Sequence, residues 1–108
     1  MIHLSDKKCV ACEGGVPPFT KAQIAEYLPQ VQGWELIDEK KIAKNYKFKD
    51  FAEAMRFVNK VAVIAESEGH HPDIVVSWNK VKLELSTHAI GGLSENDFIV
   101  AAKINNLP

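Results

Sequence analysis

A helical pattern in the middle of the chain, over residues 51 to about 67, constrains the fold more than any other feature. Its apolar residues recur every three or four positions, as expected when one face of a helix is buried. They are Phe51, Ala54, Met55, Val58, Val61, Ala62 and Ala65. Asp50 and Glu53 predict a capping box at its start, and Gly69 is placed to end it. A helix of this length, about 25 Å at ~1.5 Å per residue, can cover a small sheet.

Alternating apolar residues on each side of this helix predict two hairpins. The first has strands over residues 34–37 and 42–48, around a charged turn. The second has strands over residues 74–78 and 81–85, with its turn expected at Asn79-Lys80. Trp34 and Trp78 are both interpreted as core residues, in preference to ligand-stacking ones.

Two further helices complete the pattern. Thr20 and Gln23 predict the cap of a short helix before the first hairpin, and Ser94 predicts the start of a final helix. The order is therefore α-β-β-α-β-β-α. Because hairpins pair strands antiparallel, we expect a two-layer α+β domain, a four-stranded antiparallel sheet with helices on one face. The other face, or an edge, is left for a partner subunit.

The length of 108 residues predicts one domain. Two glycines and two prolines in the segment CEGGVPPF exclude regular structure. They divide a flexible N-terminal segment, residues 1–18, from a folded domain, residues 19–108.

Composition excludes several classes of protein. The net charge of −1 gives no field to hold a phosphate backbone, so nucleic-acid binding is not expected. No apolar run approaches the ~20 residues of a membrane helix, and the start lacks the apolar stretch of a signal peptide. These features predict a soluble cytoplasmic protein without membrane partners.

Three of the four histidines, His70, His71 and His88, lie within nineteen residues of one another. The first two precede the third strand and the last follows the fourth. Because an antiparallel hairpin brings the start of one strand beside the end of its partner, we expect all three at one edge of the sheet. Histidine titrates near neutral pH, so such a cluster suggests proton transfer, a metal site or a pH switch.

Three acidic residues lie within reach of this cluster. Glu66 and Glu68 occupy the negative end of the long helix, which favours a cationic partner. Glu66 could support an imidazole, whereas Glu68 is expected to be solvated. Asp97 could be a capping-box partner of Ser94 or could fold back toward the histidines, and the sequence does not separate these two roles.

Metal binding is the rival interpretation. Three histidines and a glutamate could hold Zn²⁺, and Cys9 and Cys12 have the spacing of a zinc half-site. No second pair of ligands accompanies that half-site, and adjacent histidines on an extended strand point to opposite faces. We therefore expect no metal, and we expect the cysteines to be an ordinary reduced pair on the N-terminal segment.

The spacing of the candidate residues resembles the signature of the pterin-4a-carbinolamine dehydratases, bacterial-type members included. The matching residues are Glu66, His70-His71-Pro72, Trp78, His88 and Asp97. Further matches are Gly33-Trp34, Ser86-Thr87-His88, Gly92-Leu93-Ser94 and the N-terminal residues 8–18. Members often carry an aromatic residue where Ile74 stands, which leaves the preferred substrate side chain open.

The resemblance implies a lyase that dehydrates 4a-hydroxytetrahydropterin to quinonoid dihydropterin, in the recycling of tetrahydrobiopterin, without a metal or other cofactor. It implies that His70, His71 and His88 are catalytic, with Glu66 and Asp97 in support. We expect His70 and His88 to be the acid–base pair and His71 to position the hydroxyl. The residues implied to line the pterin are His70, His71, Pro72, Ser86, Thr87 and His88.

The same resemblance implies partners. It suggests a homodimer or homotetramer and a functional link to an aromatic amino-acid hydroxylase. A second hypothesis is a protein-binding module, because some members of the family also act as dimerisation cofactors for a transcription factor.

Overall fold

The computed structural model describes residues 3–10 and 17–107, and within them the predicted order of helices and strands is confirmed. The elements are α1 (Lys21–Tyr27), β1 (Glu35–Ile37), β2 (Lys41–Lys47), α2 (Phe51–Glu68), β3 (Asp73–Ser77), β4 (Lys80–Leu85) and α3 (Glu95–Asn105). Among the described residues, none of the helices combines the length and the apolar character that a membrane span requires.

The four strands form one antiparallel sheet in the order β1-β2-β4-β3. In its centre Ile42 lies opposite Leu85, and Leu83 lies opposite Ile74. These side chains point to the inner face, where Ile42, Leu83 and Leu85 are fully buried in one cluster with residues of α2 and α3. The predicted two-layer α+β architecture is therefore confirmed.

The helix α2 begins and ends where the sequence predicted, but one capping contact differs. The Asp50 side chain accepts a hydrogen bond of 2.9 Å from the Glu53 backbone N–H, as expected of an N-cap. The Glu53 carboxylate instead accepts from the Lys49 N–H at 3.3 Å, so the predicted capping box is not formed. Gly69 ends the helix with a φ of 63°, a left-handed conformation that favours glycine.

The turn of the second hairpin lies one residue earlier than predicted. Trp78 and Asn79 form it, between the paired residues Ser77 and Lys80. The cause is a tertiary contact: Asn79 is buried and donates from its side chain to the Phe48 carbonyl at 2.9 Å. This register gives Trp78 a φ of 51° and leaves it 65% exposed, so its assignment to the core was wrong.

Trp34, the other tryptophan, is buried as predicted. Its indole N–H donates to the side-chain oxygen of Asn105 at 3.0 Å, and Lys44 donates to the same oxygen at 2.9 Å. A buried indole needs such an acceptor, and here the end of α3 supplies it.

Residues 3–10 lie against the folded domain. Leu4 is buried in the main core, and the Lys7 ammonium pairs with the Glu95 carboxylate at 3.0 Å. The predicted flexibility of residues 1–18 stays a prediction, and these contacts are the ones that the segment would have to break in order to move.

Candidate functional site

The hairpin β3–β4 and the end of α2 together bring the three predicted histidines to one pocket. His70 follows the left-handed Gly69, and its N–H donates to the Ala65 carbonyl at 3.2 Å, which ties it to the end of α2. The start of β3 pairs with the end of β4, just before His88. His70, His71 and His88 line a pocket of about 470 Å³.

His70 is held by a buried carboxylate. Its Nε2 lies 2.6 Å from Oδ1 of Asp97, whose side chain is fully buried. The other oxygen, Oδ2, accepts from the Thr87 hydroxyl at 2.9 Å and from the Ser94 backbone N–H at 3.0 Å. Asp97 therefore takes both roles that the sequence left open, because one oxygen completes the capping box of α3 and the other holds the histidine.

This arrangement determines which ring nitrogen of His70 is available. A carboxylate only accepts hydrogen bonds, so Nε2 must carry the hydrogen that faces Asp97. In the neutral ring Nδ1 is then the proton acceptor. The same carboxylate stabilises the positive charge that the ring acquires when it takes up a proton.

His71 has a similar partner in a different environment. Its Nε2 lies 2.5 Å from Oε2 of Glu66, in the last turn of α2. The two side chains are 59% and 79% exposed, respectively, so water competes for both groups. Exposed pairs of this kind contribute little to stability, but the contact still orients the ring.

His88 lies in a short 3₁₀ turn, His88–Ile90, which begins three residues after the last residue of β4. It is exposed at the pocket, and its side chain has no hydrogen-bond partner among the residues that the structure describes. Both of its ring nitrogens are therefore available to a ligand.

The chain returns from His88 to Asp97 through a closed loop. Thr87 and Gly92 pair through two backbone hydrogen bonds, of 2.8 and 3.4 Å. Gly91 adopts a φ of 68°, and a Cβ on Gly92 would lie 2.7 Å from the Cβ of Pro18. Both glycines are thus needed, one for its backbone angle and the other for its close approach to Pro18.

The prediction that Glu68 is solvated was wrong. Its side chain is only 5% exposed; one oxygen accepts from the Cys9 N–H and the other from the Lys103 ammonium, both at 2.9 Å. The Cys9 N–H and Lys103 lower the pKa of the Glu68 carboxyl. The cationic partner expected at this end of α2 is therefore, for Glu68, the Lys103 side chain of α3.

Cys9 also lines the histidine pocket, beside Val10. Burial, followed by the negative charge of Glu68, raises the pKa of its thiol to about 12. Within residues 3–10 and 17–107 no group of three His, Cys, Asp or Glu side chains is arranged to hold a metal ion. Cys12, the other half of the predicted pair, lies outside the described residues.

Comparisons with known proteins identify the family of this chain. The family model described as pterin 4 alpha carbinolamine dehydratase matches residues 17–107. The chain belongs to this family.

Individual relatives support the same family assignment. A provisionally named pterin-4-alpha-carbinolamine dehydratase of Nitrosomonas eutropha is 50% identical over 105 residues, covering 96% of this chain and 92% of the relative. A second relative, a provisionally named pterin-4-alpha-carbinolamine dehydratase of Rubrobacter xylanophilus, is 42% identical. The alignment covers 99% of this chain and 100% of the relative. A crystal structure from Brucella melitensis, described as a transcriptional coactivator/pterin dehydratase, superposes with a TM-score of 0.77 at 35% identity, covering 82% of this chain and 95% of that one.

The residues predicted for the site of this dehydratase-family chain occupy different places. Ser86 and Thr87 line the pocket with the histidines, whereas Asp97 and Glu66 do not line it and instead contact His70 and His71. Pro72 is half-buried and does not line the pocket. Sequence reasoning missed Cys9, Val10 and Asn96 as lining residues, because no local pattern reports a contact between residues 86 positions apart.

Proposed function

We propose that this protein catalyses the dehydration of 4a-hydroxytetrahydropterin to quinonoid dihydropterin by histidine general acid–base catalysis, in tetrahydrobiopterin recycling. The observation that carries the proposal is the buried pair of His70 and Asp97 in the wall of a pocket that also presents His71 and His88. Membership of the dehydratase family supports the reaction, and the geometry supports these residues for it.

The reaction requires two proton transfers. The bond between C4a and the hydroxyl oxygen breaks, and the oxygen leaves as water after it receives a proton. N5 loses its proton, and the electrons of its N–H bond form the double bond between N5 and C4a. A neutral imidazole suits the second transfer and an imidazolium suits the first, and each is typically worth ~10²–10⁴-fold in rate.

We assign the acid–base pair to His70 and His88. His70 has a buried carboxylate that stabilises its protonated form, and His88 has both nitrogens available to the substrate. His71, oriented by Glu66, would position the hydroxyl group. Neither transfer in this scheme needs a metal or another cofactor.

The pocket suits a small bicyclic substrate. Its volume of about 470 Å³ lies in the range of ~300–1,000 Å³ usual for small-molecule sites. His70, His71, Ser86 and Thr87 would border the pterin, partly through backbone groups that recognise its amide-like edge. Pro72 would act by directing the chain after His71, since it does not itself line the pocket.

The proposal extends to partners. An aromatic amino-acid hydroxylase would supply the carbinolamine, and the cytoplasm is the compartment expected for both. The outer face of the sheet, where Asn45, Lys80 and Val75 are exposed, and the free edges of β1 and β3 leave room for a homodimer or homotetramer.

The decisive experiment is stopped-flow measurement of 4a-hydroxytetrahydropterin dehydration with wild type, His70→Ala and His88→Ala. Each variant should lose a factor of ~10² or more of the acceleration, as expected when a general acid or base is removed. His3→Ala is the matched control, because His3 lies outside this pocket. Full turnover in both pocket variants, or no acceleration by folded wild type, would contradict the proposal.

A second function rests on a different surface. The Brucella melitensis structure is described as a coactivator as well as a dehydratase, and α2 of this chain exposes Phe51 and Val63 at 50% and 70%. A protein partner could dock on α2 at these exposed apolar residues. In a pull-down the histidine variants would then bind as well as wild type, while Val63→Asp would not.

A further inference from the structure

The histidine pocket has a wall that comes from the N-terminal segment. Cys9 and Val10 line it together with His70, His71 and His88, although the match to the family model begins only at residue 17. The wall therefore lies outside the residues that the family model matches.

Asn96 holds Val10 by both of its backbone groups. The Val10 N–H donates to the side-chain oxygen of Asn96 at 3.1 Å, and the Asn96 side-chain N–H donates to the Val10 carbonyl at 2.6 Å. Asn96 is itself buried. A two-way amide pair of this kind fixes the path of the backbone as a neighbouring strand would, because it satisfies one donor and one acceptor together.

A second anchor holds the neighbouring residue. The Cys9 N–H donates to the carboxylate of Glu68, which Lys103 binds from the other side. The Cys9 thiol lies 3.6 Å from the Asn96 carbonyl. The wall is thus tied both to the last turn of α2, just before His70, and to the first turn of α3, which also carries Asp97.

Val10 is the exposed end of this wall. Its side chain is 72% exposed even though both of its backbone groups are bound. The two anchors therefore hold an apolar group at the rim of the pocket that the three imidazoles also line.

We propose that Cys9 and Val10 form a binding wall for the pterin substrate and that Asn96 is the positioning residue that keeps this wall in place. This inference rests on the proposed function, because it takes the pterin carbinolamine as the ligand of the pocket. Asn96 touches no reacting atom in this scheme, so its loss should weaken substrate binding more than the chemical step.

The reactivity of Cys9 reports the position of the wall independently of activity. While the two anchors hold the N-terminal segment, the pKa of the Cys9 thiol is about 12 instead of the ordinary 9.0. Each unit of pKa changes the fraction of thiolate about tenfold. The thiolate is the form that iodoacetamide alkylates. In a Cys12→Ser background Cys9 is the only cysteine left, so its alkylation rate measures how often the wall is detached.

The experiment compares wild type, Asn96→Ala and Val10→Pro in that background. Val10→Pro removes the N–H that Asn96 binds and leaves the residues of the domain itself unchanged, so it tests the wall even if Asn96→Ala fails to fold. Asn59→Ala, at an exposed asparagine in the middle of α2 that does not line this pocket, is the matched control. The measurements are Cys9 alkylation by iodoacetamide and KM and kcat for 4a-hydroxytetrahydropterin dehydration.

Both wall variants should show about tenfold faster alkylation and about tenfold higher KM, as expected when a hydrogen-bonded anchor is removed, with kcat reduced by less than about threefold. The control should match wild type. Unchanged alkylation would overturn the anchoring role of Asn96. Faster alkylation with an unchanged KM would overturn the binding role of the wall and leave the proposed dehydratase function intact.

If wild type does not accelerate dehydration, the binding of a stable pterin tests the role of the wall without an activity assay. The stable pterin 7,8-dihydrobiopterin should slow the alkylation of Cys9 in wild type if the wall borders a pterin pocket. Alkylation that stays unchanged at saturating pterin would overturn the inference.

Discussion

His70 and His71 are adjacent in the chain, and each has a carboxylate at its Nε2, yet the two pairs differ in their surroundings. The His70 and Asp97 side chains are 13% and 0% exposed, whereas those of His71 and Glu66 are 59% and 79% exposed. The distances between the paired atoms, 2.6 and 2.5 Å, hardly distinguish them. Burial, not distance, separates the two pairs.

This difference in burial changes how strongly each carboxylate constrains its histidine. At His71, water solvates both groups and screens their attraction, so Glu66 can only bias the orientation of the ring. At His70, Asp97 faces no water, and the Thr87 hydroxyl and Ser94 N–H hold its second oxygen. A carboxylate fixed in this way keeps the tautomer and the ring direction constant, which a proton-transfer group requires.

The largest effect should come from breaking the buried pair. Asp97→Asn retains the shape of the side chain but removes the charge that stabilises a protonated His70 ring. The dehydration rate should fall by about 10²–10⁴-fold, the range that general acid–base catalysis supplies. Stopped-flow kinetics measure this, and a loss of less than fivefold in a folded variant would show that His70 works without its partner.

Glu68 provides a third carboxylate, two residues from Glu66 but buried. Its pKa is lowered in the folded protein, so its contribution is fully present above the ordinary carboxyl pKa of 4.5 and is lost as the pH falls through the lowered value. At pH 7, Glu68→Gln should cost about 2 kcal/mol, typical of hydrogen bonds to charged groups.

The test for Glu68 is urea unfolding of wild type and Glu68→Gln at several pH values. The difference in the free energy of unfolding should shrink as the pH falls below 4.5. A difference that is the same at pH 3 and pH 7 would show that the charge of Glu68 does not stabilise the fold.

A smaller effect should follow when the support of Asp97 is weakened. Thr87→Val keeps the shape of a buried residue and removes the hydroxyl that donates to Asp97 at 2.9 Å. The free energy of unfolding should fall by about 1 kcal/mol, since the carboxylate oxygen retains the Ser94 N–H. Thermal unfolding measures this loss, and an unchanged melting temperature would show that the Ser94 contact suffices.

The smallest effect is expected at the exposed pair. Glu66→Gln should change the free energy of unfolding by no more than about 0.5 kcal/mol, as for other exposed ion pairs. The dehydration rate should fall by less than about tenfold, because His71 retains its place after α2. A loss as large as that of Asp97→Asn would reverse the ranking of the two pairs.

Much of this molecule could be predicted from local patterns. The order of helices and strands follows from periodicities of 3.6 and 2, and the caps of α1 and α3 follow from Thr20 with Gln23 and Ser94 with Asp97. The convergence of His70, His71 and His88 follows from the antiparallel pairing of β3 with β4. The turn at Trp78-Asn79 could not be predicted, because a contact of Asn79 with Phe48, 31 residues away, determines it.

By itself, the sequence determined the helices, the strands, the two hairpins and the group of histidines at one edge, since each depends on residues close together in the chain. Only the tertiary structure decided which carboxylate is buried, that Asp97 holds both its helix and His70, and that Glu68 binds Lys103 and Cys9. It also decided that Val10 borders the pocket through Asn96. The physical reason is that burial and the choice among polar partners depend on how distant elements pack, and no local periodicity records that packing.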